Sequence, residues 1–171
     1  MYLEPIFSSD EIIKELPVGK KLFDTVNKKW VDLMEKIEED QLIFTYPDWE
    51  SIAKTLAVNN ENLDQINKKL NKYLETKRSD FPRFYFLSDD ELLEILSRAK
   101  NPRAVKKYMN KCFEAIETID FNNNLEVIAM CSKEKDKVDF QKPVVTNEGD
   151  RKGRVEIWMG DLELMMRQTL I

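Results

Sequence analysis

Apolar residues recur at intervals of three and four positions along most of this chain, which is the period of an amphipathic helix. One such stripe predicts a helix from about Val18 to Glu38. Its members are Phe23, Val26, Trp30, Leu33, Met34 and Ile37. Before it, Ser8 and Glu11 have the spacing of a capping box, which predicts a short helix that stops before Pro17. The sequence FTYPDW then interrupts the pattern.

A second stripe predicts a helix from Asp48 to Arg78, either continuous or broken at Asn59–Asn60. Its apolar members are Trp49, Ile52, Leu56, Leu63, Ile66, Leu70 and Tyr73, and Asn59 takes the slot between Leu56 and Leu63. A continuous helix of this length would be about 45 Å long. A compact ball of this chain size is only about 40 Å across. The pattern therefore favours an elongated body.

Capping signals mark two further helices. Ser88 and Glu91 repeat the capping-box spacing, and a helix is expected to run from there to about Lys100. Asn101 and Pro102 suit the first positions of the next helix. The face predicted for that helix consists of Val105, Tyr108, Met109, Cys112, Phe113 and Ile116.

The last third of the chain changes from helical to β-rich sequence. Leu125–Cys131 and Lys137–Val145 predict a hairpin with a long polar turn between them, and Pro143 suits a strand end or a sheet edge. A final helix is predicted by Val155, Trp158, Leu162, Met165 and Met166. The predicted fold class is mainly α, an elongated stack of helical bundles with one small β-hairpin in the C-terminal third. The expected parts are a helical part (1–80), an aromatic segment with helices (81–120), the hairpin and a loop (121–150) and a C-terminal helix (151–171).

Composition narrows the function classes. An apolar fraction of 42% supports a real core, while a net charge of −5 argues against a general nucleic-acid binder. There is no histidine, which removes imidazole bases and the commonest metal ligand. Cys112 and Cys131 are interpreted as reduced core thiols. No apolar run approaches the roughly 18 residues of a membrane span, so a soluble, intracellular protein without membrane contact is expected.

Three motifs that could carry chemistry have simpler structural interpretations. Asp120, Asn122 and Asn124 imitate the start of a calcium loop, but leucine and cysteine occupy its sixth and twelfth positions, which indicates a turn. Gly19–Lys21 lacks the upstream glycine of a phosphate loop. The acids Asp89–Glu91 suit the positive end of a helix. No catalytic, cofactor-binding or metal-binding residue is predicted.

The aromatic segment, Phe81–Phe86, is the sharper candidate. Pro82 predicts an extended conformation for Phe81, and in a fully extended stretch Phe84 and Phe86 would point to the same side. We expect these rings to fill two helical layers, although part of the surface could instead pack against a neighbouring segment. The predicted packing residues are Phe81, Pro82, Phe84, Phe86, Ser88, Glu91 and Trp158. The lysines Lys133, Lys135 and Lys137 of the hairpin turn are either solvated or contact an acidic partner.

Four stretches carry a family resemblance. Tyr2–Ile12, Phe81–Ser97, Lys111–Ile116 and Val155–Met166 resemble the linker of dynein heavy chains, in the same order and over essentially all 171 residues. The sequence EPIFSS, Glu4–Ser9, is more similar to axonemal dyneins than to the cytoplasmic form. The resemblance identifies the chain as an interior linker segment, upstream of the first ring module.

In that family the linker is a mostly helical rod that lies across a ring of AAA+ modules and swings as the ring hydrolyses ATP. The resemblance therefore implies a force-transmitting segment without enzymatic activity of its own, with ATP and magnesium bound in the ring of the parent motor. The implied partner is the ring of the same heavy chain. Microtubules and intermediate or light chains are reached through the full motor, in the cytoskeleton or the ciliary axoneme.

Two hypotheses and one alternative follow. The aromatic segment could hold consecutive helical bundles together as one lever. The hairpin, Leu125–Val145, could dock on the ring through its lysine-bearing turn. The alternative is a helical protein–protein interaction scaffold without a motor role.

Overall fold

The computed structural model describes residues 3–39 and 49–171. The chain divides into two compact units. We call Ile13–Tyr73 the helix pair, and the residues up to Ile12 together with Leu74–Ile171 the mixed unit.

The helix pair consists of α2 (Pro17–Glu39) and the first part of α3 (Trp49–Asp80). Both helices were predicted from their apolar stripes, and α2 begins at the proline that the sequence marks as a boundary. Of the two forms considered for the second helix, the continuous one is observed, since α3 passes through Asn59 without a break. The interrupting sequence FTYPDW lies outside the described residues except for its last residue, Trp49, which begins α3.

The start of the chain corrects one prediction. Ile6–Ser8 form a 3-10 helix, and α1 (Asp10–Glu15) begins two residues after Ser8. The Ser8 hydroxyl donates a hydrogen bond backwards to the carbonyl oxygen of Glu4 at 2.7 Å, so Ser8 does not cap α1. The predicted capping box at Ser8 is therefore wrong, because the preceding 3-10 turn already engages its side chain. The predicted stop before Pro17 is confirmed.

The mixed unit contains the remaining elements. Its helices are α4 (Asp89–Ser97), α5 (Met109–Cys112) and α6 (Val155–Thr169), with 3-10 helices at Pro82–Phe86, Pro102–Tyr108 and Gly149–Arg151. Its strands are β1 (Thr118–Phe121), β2 (Val127–Cys131) and β3 (Lys137–Val144). Helices account for most of the described residues, so the mainly α class is confirmed.

The sheet corrects the predicted hairpin in one detail. The strands form an antiparallel sheet in the order β1-β2-β3, so a third strand joins the predicted pair. The register between β2 and β3 shifts, because Val127 pairs with Val144 whereas Ala129 pairs with Asp139. The extra residues of β3 lie between Asp139 and Val144 and include Pro143, and β3 is an edge strand, as expected for a strand that contains proline.

The helix predicted after Asn101 is also different. Pro102–Tyr108 is a 3-10 helix, and only Met109–Cys112 is α-helical. The Asn101 side chain accepts a hydrogen bond from the backbone N–H of Arg103, which caps this tighter start.

The core of the mixed unit is built from side chains of α1, α4, α5, α6, the sheet and the aromatic segment. Its largest fully buried members include Ile12, Phe84, Leu92, Ile95, Met109, Ile119, Trp158 and Leu162. Among the residues described, no helix is long and apolar enough to cross a membrane.

Candidate functional site

The aromatic segment forms a 3-10 turn and not a fully extended stretch. Phe81 itself is extended, with φ −135° and ψ 94°, as its position before Pro82 predicts. Because a 3-10 helix has three residues per turn, Phe81, Phe84 and Leu87 then lie on one side, and all three are buried. Phe84 is 0% exposed.

The same geometry overturns the prediction for Phe86. Phe86 is 67% exposed and Tyr85 is also exposed, because neither follows the three-residue repeat that begins at Phe81. Phe86 therefore does not fill a helical layer within the described residues. The segment presents one aromatic face to the core and a second to the outside.

The inward rings make a small aromatic cluster. Phe81 and Phe84 meet edge to face, with their centroids 5.0 Å apart and an interplanar angle of 77°. Phe113, which follows α5, lies 6.5 Å from Phe81. Edge-to-face contacts place the positive ring edge against the negative face and add to the stabilisation from burial. The cluster thus joins the aromatic segment to the end of α5.

Arg83 holds the turn to two further elements. One guanidinium nitrogen donates to the carbonyl oxygen of Cys112 at 2.9 Å, and the other donates to Glu163 of α6 at 3.3 Å. The guanidinium also lies 4.5 Å above the ring of Phe113. Burial raises the pKa of Glu163, but the hydrogen bonds from Arg83 and Arg167 outweigh this and leave the pKa below its usual value.

Arg78, near the end of α3, holds the other side of the same turn. Its guanidinium donates to the carbonyl oxygen of Leu87 at 3.2 Å and to Asp89 at 2.7 Å. It also pairs with Glu75 at 3.0 Å, and Glu75 accepts a hydrogen bond from the Tyr85 hydroxyl at 3.2 Å. Arg78 therefore joins α3 to the turn and to the start of α4, while Arg83 joins the turn to α5 and α6.

The predicted capping box at the start of α4 is confirmed. The backbone N–H of Glu91 donates to the Ser88 hydroxyl at 3.3 Å, and the Glu91 carboxylate accepts from the backbone N–H of Ser88 at 3.1 Å. Lys111 of α5 also pairs with Glu91. The hydrogen bond from Lys111, and then that from the Ser88 backbone, lower the pKa of Glu91.

A buried ion pair lies between α3 and α6. Lys77 donates to Glu156 at 2.6 Å, and the exposed fractions of the two side chains are 11% and 2%. Arg154 approaches the same carboxylate oxygen at 3.4 Å, while the second oxygen of Glu156 has no hydrogen-bond partner among the described residues. Trp158, which lies in the first turn of α6, is fully buried.

The lysine-bearing turn is ordered by one serine. The Ser132 hydroxyl accepts the backbone N–H groups of Glu134 and Asp136, each at 3.2 Å. Lys133 and Lys135 are exposed on this turn. Lys137, which the sequence places both among the turn lysines and at the start of the second predicted strand, is the first residue of β3, where it pairs with Asp120 at 3.0 Å. The hydrogen bond with Asp120 raises the pKa of Lys137.

Metal binding and cysteine chemistry were the other possibilities considered for the described residues. In residues 3–39 and 49–171, no three histidine, cysteine or acidic side chains are grouped so that they could hold a metal ion. Cys112 and Cys131 are free thiols. Burial raises the pKa of Cys112 to about 12, and it also raises that of Cys131.

Comparison with known proteins decides the family. The whole chain, residues 1–171, matches the family described as "Dynein heavy chain, N-terminal region 2". The chain belongs to the dynein heavy chain family. It is 44% identical over 170 residues to dynein axonemal heavy chain 3 of Homo sapiens, and 40% identical over 176 residues to dynein axonemal heavy chain 2 of Mus musculus. It is 39% identical over 170 residues to dynein axonemal heavy chain 12 of Rattus norvegicus.

These alignments cover 99% of this dynein heavy chain sequence but only 4% to 5% of the relatives' lengths. The three relatives are axonemal heavy chains, which supports the axonemal type. The matched region is the N-terminal region of the heavy chain and not its ATPase domain.

Sequence reasoning on this dynein segment found the aromatic residues and the cap of α4 but missed the two arginines. Arg83 lies inside the aromatic segment, and an arginine between rings is a candidate for stacking. Apart from its pairing with Glu75 on the same helix, Arg78 carries no comparable signal, because the carbonyl oxygen and the second carboxylate that it contacts lie beyond its own helix. Lys77 and Glu156 are 79 positions apart, so no local pattern joins them.

Proposed function

We propose that this chain is a force-transmitting segment of the linker of an axonemal dynein heavy chain, which swings across the AAA+ ring as ATP is hydrolysed elsewhere in the motor. The family match supports its place in the N-terminal region of such a heavy chain. In this proposal the ring supplies ATP and magnesium binding. In this proposal the full motor binds microtubules and intermediate or light chains in the ciliary axoneme.

One observation supports a mechanical role above all. Arg83 joins the aromatic segment to a carbonyl oxygen of α5 and to a carboxylate of α6, while Arg78 joins the end of α3 to the start of α4. A planar guanidinium with several donors fixes both distance and orientation, which a single lysine contact does not. Contacts of this kind resist bending between the helices, so a displacement of one helix moves the next.

The test uses the full-length motor with Arg83→Met, which keeps much of the apolar stem but removes the charged fork. We expect slower microtubule gliding while ATP hydrolysis by the ring continues, because a looser joint transmits less of the stroke. Arg103→Met is the matched control, since Arg103 is exposed. Gliding at the wild-type speed in the Arg83→Met motor would contradict the proposal.

A folding defect has to be distinguished from a mechanical one. Thermal unfolding of the isolated chain measures the first effect. Arg83→Lys provides the second variant, because it keeps the charge but cannot reach two acceptors with the same rigid geometry. We expect this variant to fold and still to slow gliding, and full-speed gliding of a folded Arg83→Lys motor would also count against the joint.

We also propose that the turn carrying Lys133 and Lys135 docks on the ring. Both lysines are exposed on a turn that is stabilised by two hydrogen bonds to the Ser132 hydroxyl. Reversing both charges to glutamate should weaken the coupling between ATP hydrolysis and gliding. Lys142→Glu on β3 is the control, and normal motility of the double variant would refute the docking role.

The second candidate function is a helical interaction scaffold, which the outward rings of Tyr85 and Phe86 favour. A pull-down with the isolated AAA+ ring separates the two functions. Binding that the lysine-reversed turn weakens supports the linker. Binding to other proteins without any binding to the ring supports the scaffold.

A further inference from the structure

The outward face of the aromatic segment consists of Pro82, Tyr85 and Phe86, all of them exposed. Pro82 and Tyr85 are three positions apart, so they lie on the same side of the 3-10 turn. Tyr85 is 59% exposed and Phe86 is 67% exposed. Phenylalanine is among the residues most often buried, and adjacent exposed rings are typical of an interaction surface.

The core of the mixed unit closes without the outward face. On the inward side of the same turn, Phe81, Phe84 and Leu87 are buried and fill the space between the turn and its neighbours. The outward rings therefore add little to the closed core. They remain available to a partner.

Carboxylates border the outward face. Glu75 accepts a hydrogen bond from the Tyr85 hydroxyl at 3.2 Å. The Arg78 guanidinium lies 5.9 Å from the centre of the Tyr85 ring and pairs with Asp89 at 2.7 Å, so the Asp89 carboxylate lies beside the same guanidinium. Asp90, the next residue, is also exposed. The rings therefore have an acidic border.

The basic residues of the same region do not balance this border. Residues 75–90 include four acidic and three basic side chains. Lys77 is buried against a carboxylate of α6, and Arg83 donates inward to α5 and α6. Arg78 is thus the one base of residues 75–90 that lies beside the outward rings, and two carboxylates share it. The charge around the outward face is therefore negative.

An arginine side chain matches both properties of the outward face. Its planar guanidinium stacks on aromatic rings and also donates paired hydrogen bonds to carboxylates, which a lysine ammonium does less well. The same combination already occurs inside the unit, because Arg83 lies 4.5 Å above the ring of Phe113 and donates to Glu163. The hydrogen bond to Glu75 orients the Tyr85 ring, which lowers the cost of ordering it on binding.

We infer that the outward face, with its acidic border, binds an arginine-bearing segment of a separate protein. The guanidinium groups of that segment stack on Tyr85 and Phe86 and pair with Glu75 and Asp90. Permanent interfaces are more apolar and poorer in charged residues, so the carboxylate border favours a dissociable partner over a segment of the same chain. The inference goes beyond the proposed linker role and does not depend on it.

The first test measures binding of a fluorescein-labelled peptide, three repeats of Arg-Pro-Ala, to the full-length heavy chain by fluorescence anisotropy. Proline keeps this peptide extended. We expect saturable binding, and about threefold weaker binding of the peptide in which lysine replaces arginine. Either no saturable binding or equal affinity for the two peptides would overturn the inference.

The contribution of the rings is tested at Phe86. Phe86→Ser should weaken binding about fivefold, because one stacking surface for the guanidinium is lost. Phe86→Leu keeps apolar bulk without a π face and should weaken binding almost as much. Leu164→Ser removes a 58% exposed apolar side chain from α6 and is the control, with no change expected. Wild-type affinity of a folded Phe86→Leu variant would contradict stacking.

The contribution of the carboxylates is tested with a pair of neutral substitutions. Glu75→Gln with Asp90→Asn should weaken binding about tenfold at low salt and less at high salt, because two charges at the outward face are removed. Glu61→Gln with Asp64→Asn removes two exposed charges from the helix pair and is the control. Equal losses in the two double variants would mean that the peptide responds only to net charge, and would refute the site.

The source of the partner is tested with the photo-crosslinking amino acid p-benzoylphenylalanine in place of Phe86 in the heavy chain within its native assembly. We expect mass spectrometry to identify an arginine-bearing peptide of a separate polypeptide, and a synthetic copy of that peptide to displace the labelled probe. Capture of a segment of the same heavy chain, capture of a second copy, or no capture would overturn the inference. None of these measurements requires ATP hydrolysis or gliding, so a failure here is distinguishable from a failure of the proposed motor function.

Discussion

Two tryptophans show how differently the two units of this protein bury their apolar residues. Trp158 in α6 of the mixed unit is 0% exposed, whereas Trp30 in α2 of the helix pair is 40% exposed. Both lie on helical stripes of similar character in the sequence. The mixed unit covers its stripe with the sheet and several short helices, while in the described part of the helix pair two long helices cover their stripes only in part. Periodicity therefore predicts that a face is apolar but not how much of it is covered.

The largest expected effect comes from exchanging these tryptophans for alanine in separate variants. Trp158→Ala should lower the free energy of unfolding by about 3–5 kcal/mol, because it leaves a large cavity in a closed core. Trp30→Ala should lower it by about 1 kcal/mol or less, since part of that ring already contacts water. Urea denaturation followed by circular dichroism measures both.

Equal losses of unfolding free energy in the Trp158→Ala and Trp30→Ala variants would contradict this comparison. If the two variants lost equal stability, Trp30 would be as well packed as Trp158, and the helix pair would have to bury its stripe by other means, such as self-association. Repeating the denaturation at several protein concentrations separates that case, because association makes the midpoint depend on concentration.

The buried ion pair in the mixed unit should give the next largest effect. Lys77→Met leaves the Glu156 carboxylate buried without its closest partner, and we expect a loss of about 3 kcal/mol. The double variant Lys77→Met with Glu156→Met should recover most of this loss, because it removes the uncompensated charge. A double variant as unstable as the single one would mean that packing of the lysine stem, and not charge, is what matters here.

A smaller and opposite effect is expected within the helix pair. Asn59 is buried in the apolar stripe of α3, and its side-chain oxygen finds no hydrogen-bond donor among the described residues. Asn59→Leu should therefore raise the free energy of unfolding by about 1 kcal/mol, from the removal of the unsatisfied group and from better helix propensity. Asn67→Leu on an exposed part of α3 is the control and should raise it less. Destabilisation by Asn59→Leu would indicate that the amide has a role in the folded chain.

The sequence predicted the long helices best, because each stripe contains six or more periodic positions in agreement. It predicted β2, β3 and the capping box at Ser88 for a similar reason, since short-range spacing alone defines them. It missed β1, because four residues are too few to show alternation, and it assigned a regular α-helix where Asn101 and Pro102 start a 3-10 helix.

The candidate site was predicted in part. The burial of Phe84 and Trp158 followed from their types and positions, but the exposure of Phe86 depends on a 3-10 turn that no spacing rule specifies. The partners of Arg83 come from α5 and α6, which lie far along the chain. Long-range contacts of this kind require the tertiary structure.

The smallest expected effect is a change in the pH dependence of stability in the mixed unit. The pKa of Glu91 is lowered in the folded chain, chiefly by Lys111, so in the unfolded chain this carboxylate binds its proton at a higher pH. Its contribution is therefore complete above the unfolded pKa of about 4.3 and is lost as the pH falls through the lower folded value. We expect Lys111→Met to flatten the fall in unfolding free energy between about pH 5 and pH 3, by a fraction of a kcal/mol typical of exposed ion pairs. Lys152→Met, at an exposed lysine, should leave the slope unchanged. Equal slopes in wild type and Lys111→Met would mean that the capping contact with Ser88, and not the ion pair, determines the acid sensitivity of this helix start.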